Sequence, residues 1–257
     1  MKLTFLGTGT SVGIPVIGCD CHICRSQDAR NRRRRSSLYV QTPEASIVVD
    51  TSLDFREQAL TYGVPRVDAV LITHSHADHI FGLDDVRRYN TLQGTVIPVY
   101  GSPETITDLR RIFNYVTTGA PEPGVFRPRL DFVEVQESFS VGAIKVEPLP
   151  VLHGKSATYG YRMEREGRSI GYVPDCKEMP ARTMERFIGV DVMILDGLRH
   201  RPHPTHMTVE AAVSLLERIG ARRSYLTHIC HDLDHEETQE NLPPGVFLSC
   251  DGMSLSV

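Results

Sequence analysis

The sequence predicts a mixed α/β (α+β) fold formed as one domain over residues 1–257. Short, branched apolar runs such as Ala69–Ile72 and Val192–Asp196 have the length and composition of buried strands. Stretches with helical apolar spacing stand between such runs in both halves of the chain, so the two element types are interspersed. No short repeat, low-complexity stretch or linker-like segment divides the 257 residues, enough to bury a large core. Composition excludes some roles. A net charge of −4 gives no overall attraction to nucleic acid or anionic membrane. No apolar run approaches the ~20 residues of a membrane-spanning helix. The N-terminus turns glycine-rich too early for a signal peptide, so a cytoplasmic location is expected.

In chain order, Lys2–Leu6 alternates polar and apolar residues and reads as the first strand. The following Gly7–Ser11 lacks the Gly-Lys-Ser/Thr ending of a phosphate loop and reads as a tight turn. Five arginines fall in the six positions Arg30–Arg35, a solvated face with an anionic-substrate or RNA contact as the alternative. Ser37–Val40 and Ser46–Asp50 read as strands around a turn at Pro43-Glu44. Leu53–Tyr62 is helix-compatible and stops at Gly63-Val64-Pro65. Ala69–Ile72 is the next strand, and a helix is suggested over Gly82–Arg88. Ile97–Gly101 is a strand, and Ser102–Val116 a helix capped by Ser102 with Pro103 at its first position. The glycine- and proline-rich Thr117–Pro128 is expected as a loop over the site. Strands from Leu130 to Val151, a hairpin of Tyr159–Glu164 and Ser169–Val173, and strand Val192–Asp196 follow. Thr208 caps a helix with core residues Val209 to Ile219, and Ser224–Thr227 is the last strand read.

Chemistry concentrates at strand ends. His74, His76, Asp78 and His79 fall within six residues directly after Ala69–Ile72. Imidazole and carboxylate bind zinc, manganese or iron, and four such groups in one loop can serve two ions. His153, Asp175 and His228 also follow apolar strands, and ligands from several strand ends can converge on one rim. Cys19, Cys21 and Cys24 form a separate tight cluster, around residues 18–25, suited to structural zinc if a fourth ligand joins them. His200, His203 and His206 lie in a further histidine loop before the late helix.

His-x-His-x-Asp-His after a hydrophobic strand resembles the signature of the metallo-β-lactamase superfamily, a resemblance that spans essentially the whole chain. It implies a four-layer αββα sandwich and a dinuclear centre: His74, His76 and His153 on one ion, Asp78, His79 and His228 on the other, and Asp175 bridging. Asp50 matches the superfamily's orienting carboxylate. The cysteine loop resembles that of the phosphonate-pathway (carbon–phosphorus lyase) cyclic-phosphate phosphodiesterases. That likeness makes His231 the fourth ligand of a structural zinc with Cys19, Cys21 and Cys24, with His22 and Cys230 as competing candidates. It further implies catalysis by His206, as acid to the leaving group, and by Asp78, on which the second ion depends.

The expected activity is therefore hydrolysis of a small phosphodiester, cyclic or simple, by water activated between two divalent ions, zinc, manganese or iron. His200 and His203 are expected to be idle, with substrate contact as the alternative. Other readings are a tRNA 3′-processing endonuclease, for which Thr117–Pro128 is too short an arm, a non-catalytic quinone-cofactor-biosynthesis protein, and a lactonase or thioesterase. The expected partner is a small phosphodiester, without membrane or nucleic acid; a homodimer is compatible with the chain.

Overall fold

The computed structural model describes residues 1–120 and 123–257. Strands form where apolar residues run short and branched: β1 (Lys2–Gly7), β2 (Ser37–Gln41), β3 (Ser46–Val49), β4 (Ala69–Leu71), β5 (Ile97–Gly101) and β6 (Leu130–Glu134). The second half adds β7 (Phe139–Val141), β8 (Ile144–His153), β9 (Ser156–Arg165), β10 (Arg168–Val173), β11 (Val192–Asp196), β12 (Arg223–Thr227) and β13 (Val246–Leu248), and β14 (Ser254–Ser256) returns to pair with β1. Two seven-stranded sheets result, ordered β14-β1-β2-β3-β4-β5-β6 and β13-β12-β11-β10-β9-β8-β7.

The helices are α1 (Phe55–Tyr62), α2 (Ala77–Ile80), α3 (Arg87–Gln93), α4 (Pro103–Ile112), α5 (Ala181–Phe187), α6 (Val209–Ile219) and α7 (His235–Asn241). None of the described helices is long and apolar enough to cross a membrane.

Strand periodicity builds the layers. In β3, Ile47 and Val49 face the other sheet, packing in one cluster with Val192 and Ile194 of β11 and with Tyr161 and Tyr172. Their alternates face outward: Val48 toward Phe55, Ile106 and Leu109 of α1 and α4, and Met193 and Leu195 toward Phe187, Leu216 and Ile219 of α5 and α6. Period two in a strand sends neighbours to opposite faces, so each sheet is apolar on both. The result is the expected αββα sandwich.

Parallel pairing then places the chemistry. β3 and β4 run parallel, as do β10, β11 and β12, so the carboxyl ends within each sheet come out together. Open α/β sheets present ligand sites at that rim.

Several boundaries moved. The strand expected to include Asp50 stops at Val49, since Asp50 turns into the left-handed region at φ 62°. The helix suggested over Gly82–Arg88 is a 3-10 turn, Leu83–Val86, running into α3. The helix expected to reach Val116 ends at Ile112, with Ser102 accepting from the Thr105 N–H as its cap. Helices α5 and α7 and strands β13 and β14 went unread; α7 is polar throughout, so periodicity gave no signal.

The loop expected over the site packs elsewhere. Pro121 and Glu122 lie outside the described residues, but Val125 and Phe126 border a cavity of 710 Å³ against Arg87 and Arg88, away from the histidine cluster.

The arginine run is not one solvated face. Arg33 is buried, its Nη1 donating to Thr8 Oγ1 (2.8 Å) and Ser249 O (2.5 Å) and its Nη2 to His235 Nδ1 (3.0 Å). Arg35 pairs with Asp54 at 2.9 Å, Arg30 with Asp28 at 2.6 Å, and Arg34 lies over the Tyr62 ring. Gly7 serves this same strap: a Cβ there would stand 2.0 Å from Arg35 O, so the glycine permits the close backbone approach.

Candidate active site

Both sheets contribute to one buried cluster. β4 leads into His74, His76, Asp78 and His79, while the other sheet supplies His153 at the end of β8, Asp175 after β10, and His228 after β12. All are buried except His76.

Outward hydrogen bonds fix which nitrogen points in. His79 Nδ1 donates to Asp50 Oδ2 at 2.7 Å. His74 Nδ1 donates at 3.0 Å to Thr73 Oγ1, whose hydroxyl in turn donates to Asp50. His153 Nδ1 donates to Thr205 O at 2.8 Å. Each ring therefore turns Nε2 inward. His76 is reversed: Nε2 meets Ser156 Oγ at 3.0 Å, and Nδ1 faces His74 Nε2 (2.8 Å) and His153 Nε2 (3.4 Å).

Three imidazole lone pairs converging this closely fit a cation. Bonds of 2.0–2.1 Å in a tetrahedral site place nitrogens about 3.3 Å apart. The second group is Asp78, His79 and His228, with Asp78 Oδ2 3.2 Å from His79 Nε2 and 3.7 Å from His228 Nε2. Asp175 lies between the groups: Oδ1 is 3.2 Å from His79 Nε2, and Oδ2 is 3.6 Å from His153 Nε2 and 3.4 Å from His228 Nε2. Buried atoms without hydrogen bonds among the described residues include His79 Nε2, both His228 nitrogens and Asp175 Oδ1. Such atoms are costly unless something satisfies them, and this donor set suits divalent ions.

Opposite charges stabilise one another within the cluster: burial opposes it, but Asp175 and Asp78 raise His79 and His228 above the ordinary imidazole value. Burial would raise Asp175, but His228, His79 and His74 hold it well below the usual carboxylate range. Asp78 is likewise lowered by His79 and His228 against its burial. Burial keeps His74, His76 and His153 below the ordinary imidazole value, leaving neutral rings with lone pairs.

His206 enters from beside the cluster. Its Nδ1 donates to Asp196 Oδ2 at 2.8 Å, and its Nε2 stands 3.9 Å from Asp175 Oδ2. Its ring stacks on His228 at 4.6 Å. Asp196, at the end of β11, also accepts the Cys176 N–H. Sequence reasoning passed over Asp196, Thr73, Thr205 and Ser156. Asp196 had a signal: like Asp50, it is an acid ending a buried apolar strand.

The three histidines of the loop diverge. His200 Nδ1 pairs with Glu210 at the surface, 2.5 Å away, whereas the His203 ring lies 5.0 Å from that of His206.

Cys19, Cys21 and Cys24 gather around His231, their Sγ atoms 3.3, 3.6 and 3.5 Å from its Nδ1. The sulfur–nitrogen edge of a tetrahedral zinc site is about 3.5 Å. The Cys24 N–H on its sulfur lowers the Cys21 thiol to about 6, favouring thiolate. Of the competing fourth ligands, His22 is exposed, and neither it nor Cys230 belongs to this group.

The comparisons with known proteins agree with this geometry. Residues 45–229 match the family model described as a beta-lactamase superfamily domain. A diphosphatase from the PhnP family is 42% identical, with a TM-score of 0.91 over 100% of this chain and 97% of that one. Zinc-bound PqqB from Methylobacterium extorquens (21% identity, TM-score 0.82, 100% of both chains) and the short form of human tRNase Z (19%, 0.72, 100% and 99%) share the fold. An octanoyltransferase of Porphyromonas gingivalis is 36% identical over 98% of this chain and 51% of its own length, so the chain spans about half of that relative. The chain belongs to the beta-lactamase superfamily, as a PhnP-like protein of the metallo-β-lactamase fold.

Proposed function

We propose that the chain hydrolyses a small phosphodiester with the help of two divalent ions, zinc, manganese or iron, and carries one structural zinc. The observation that carries this reading is the seven-residue His/Asp cluster, with Asp175 between its halves and His206 facing it. His74, His76 and His153 would hold one ion and Asp78, His79 and His228 the other, with Asp175 shared. Bound there, divalent ions supply charge stabilisation for a phosphoryl group and lower the pKa of water.

The chain's own groups do the rest. Asp50 and Thr73 lock the ring orientations of His79 and His74. His206 delivers a proton from Nε2 to the departing oxygen, and Asp196, 2.8 Å from Nδ1, steadies the ring and its imidazolium charge. Thr117–Pro128, the candidate arm for tRNA, is only 12 residues long, which supports a small substrate. Six cysteines with no disulfide among them suit a reducing, cytoplasmic compartment.

A second reading, hydrolysis of a diphosphate, is favoured by the 42% identical relative, a diphosphatase. Acyl transfer gains little from the octanoyltransferase, since this chain accounts for only 51% of that protein. The test is a metal-reconstituted assay on bis-p-nitrophenyl phosphate, 2′,3′-cyclic nucleotides, ribosyl cyclic phosphate, ADP and a lactone. Turnover of the esters supports the first reading and of ADP alone the second; lactone turnover alone refutes both.

A further inference from the structure

We propose that His203 contacts the substrate and recognises its leaving group beyond the scissile bond, an assignment that rests on the phosphoryl-hydrolase reading above. His206 is buried against His153 (4.7 Å) and His228 (4.6 Å), and half-buried His203 adjoins it at 5.0 Å, toward solvent. The Thr205 N–H points at His203 Nδ1 (3.3 Å), and the Thr205 hydroxyl lies 3.2 Å from the same atom. A backbone N–H can only donate, so Nδ1 holds the lone pair and the ring proton sits on Nε2. Among the described residues none accepts that proton.

The donor is held firmly. Pro202 and Pro204 restrict the backbone on either side. Lys177 Nζ donates to the carbonyls of His203 (2.7 Å) and His206 (3.4 Å), joining the two histidines' backbones. A free N–H just outside the group that protonates the leaving oxygen meets whatever that oxygen carries away. The acceptor it fits is a further oxygen, a sugar hydroxyl or a second phosphate. His200 shares the three-residue spacing but turns to Glu210, so it takes no part.

The test uses metal-loaded wild type, His203→Phe and His203→Gln on 2′,3′-cyclic AMP and ADP, with inorganic phosphate as competing inhibitor. Loss of one hydrogen bond should raise KM about tenfold in His203→Phe. Metal content and the phosphate inhibition constant should stay as in wild type, and His203→Gln, which keeps an N–H donor, should recover most of the loss. An unchanged KM, or a KM and phosphate constant that rise together, overturns the assignment. A wild type inert on both substrates, and on the other phosphate esters of the assay above, overturns the parent reading as well, and is told apart because no variant is needed to see it.

Discussion

At the scale of single residues, the site is a set of imidazoles whose outer nitrogens are spoken for. Asp50 holds His79 at 2.7 Å and Asp196 holds His206 at 2.8 Å, yet the two pairs serve different ends. On the proposed function, the first would aim a lone pair at a cation and the second a proton at a leaving group. Asp50→Ala should therefore weaken metal affinity by about 10–100-fold, measured by competition with a chelator. His206→Ala should keep its metal and lose about 10²–10⁴-fold in kcat on alkyl leaving groups. Its loss on a p-nitrophenyl leaving group should be much smaller, because nitrophenolate departs without a proton. Equal losses on both would speak against the acid role. Asp50 and His228 both adopt left-handed backbone, at φ 62° and 58°, a conformation uncommon outside glycine that often occurs at functional sites.

At the scale of elements, the cysteine loop and the arginine strap tie the N-terminal segment to the rim beside the site. His231 stands three residues after His228, so tension in the cysteine loop reaches a candidate ligand directly. Cys24→Ser should remove one zinc per chain by metal analysis and lower Tm. The strap depends on Arg33, whose removal leaves Thr8, Ser249 and His235 short of a donor. Leaving buried acceptors unsatisfied costs about 1–3 kcal/mol each, so Arg33→Ala should lower the urea midpoint accordingly. A midpoint equal to wild type would show that the strap contributes nothing.

For the whole molecule, the same network sets an acid limit. Burial, then Arg33 and Arg30, depress His235 to about 4, against an ordinary 6.5. As pH falls below that ordinary value the unfolded chain takes up the proton while the folded chain resists. Stability from this group is thus full above about 6.5 and is lost as pH falls toward about 4. His235→Gln should flatten that part of the denaturation profile, compared with wild type between pH 7 and 4.5.

Much of this architecture was legible. Branched runs such as Val192–Leu195 marked strands buried on both faces, and the polar residues after them marked the rim, because parallel strands deliver their carboxyl ends together. The helices with apolar stripes were visible, whereas polar α7 was not.

What the sequence by itself determined was the layered fold and the ligand types waiting at its strand ends, since both follow from local periodicity. Only the tertiary structure decided that Asp196 serves His206, that Arg33 is buried within a charged run, and that His203 rather than His200 stands beside the site. Those outcomes turn on hydrogen bonds between segments far apart in the chain or on a loop's final course, and no local pattern encodes which partner lies within 3 Å.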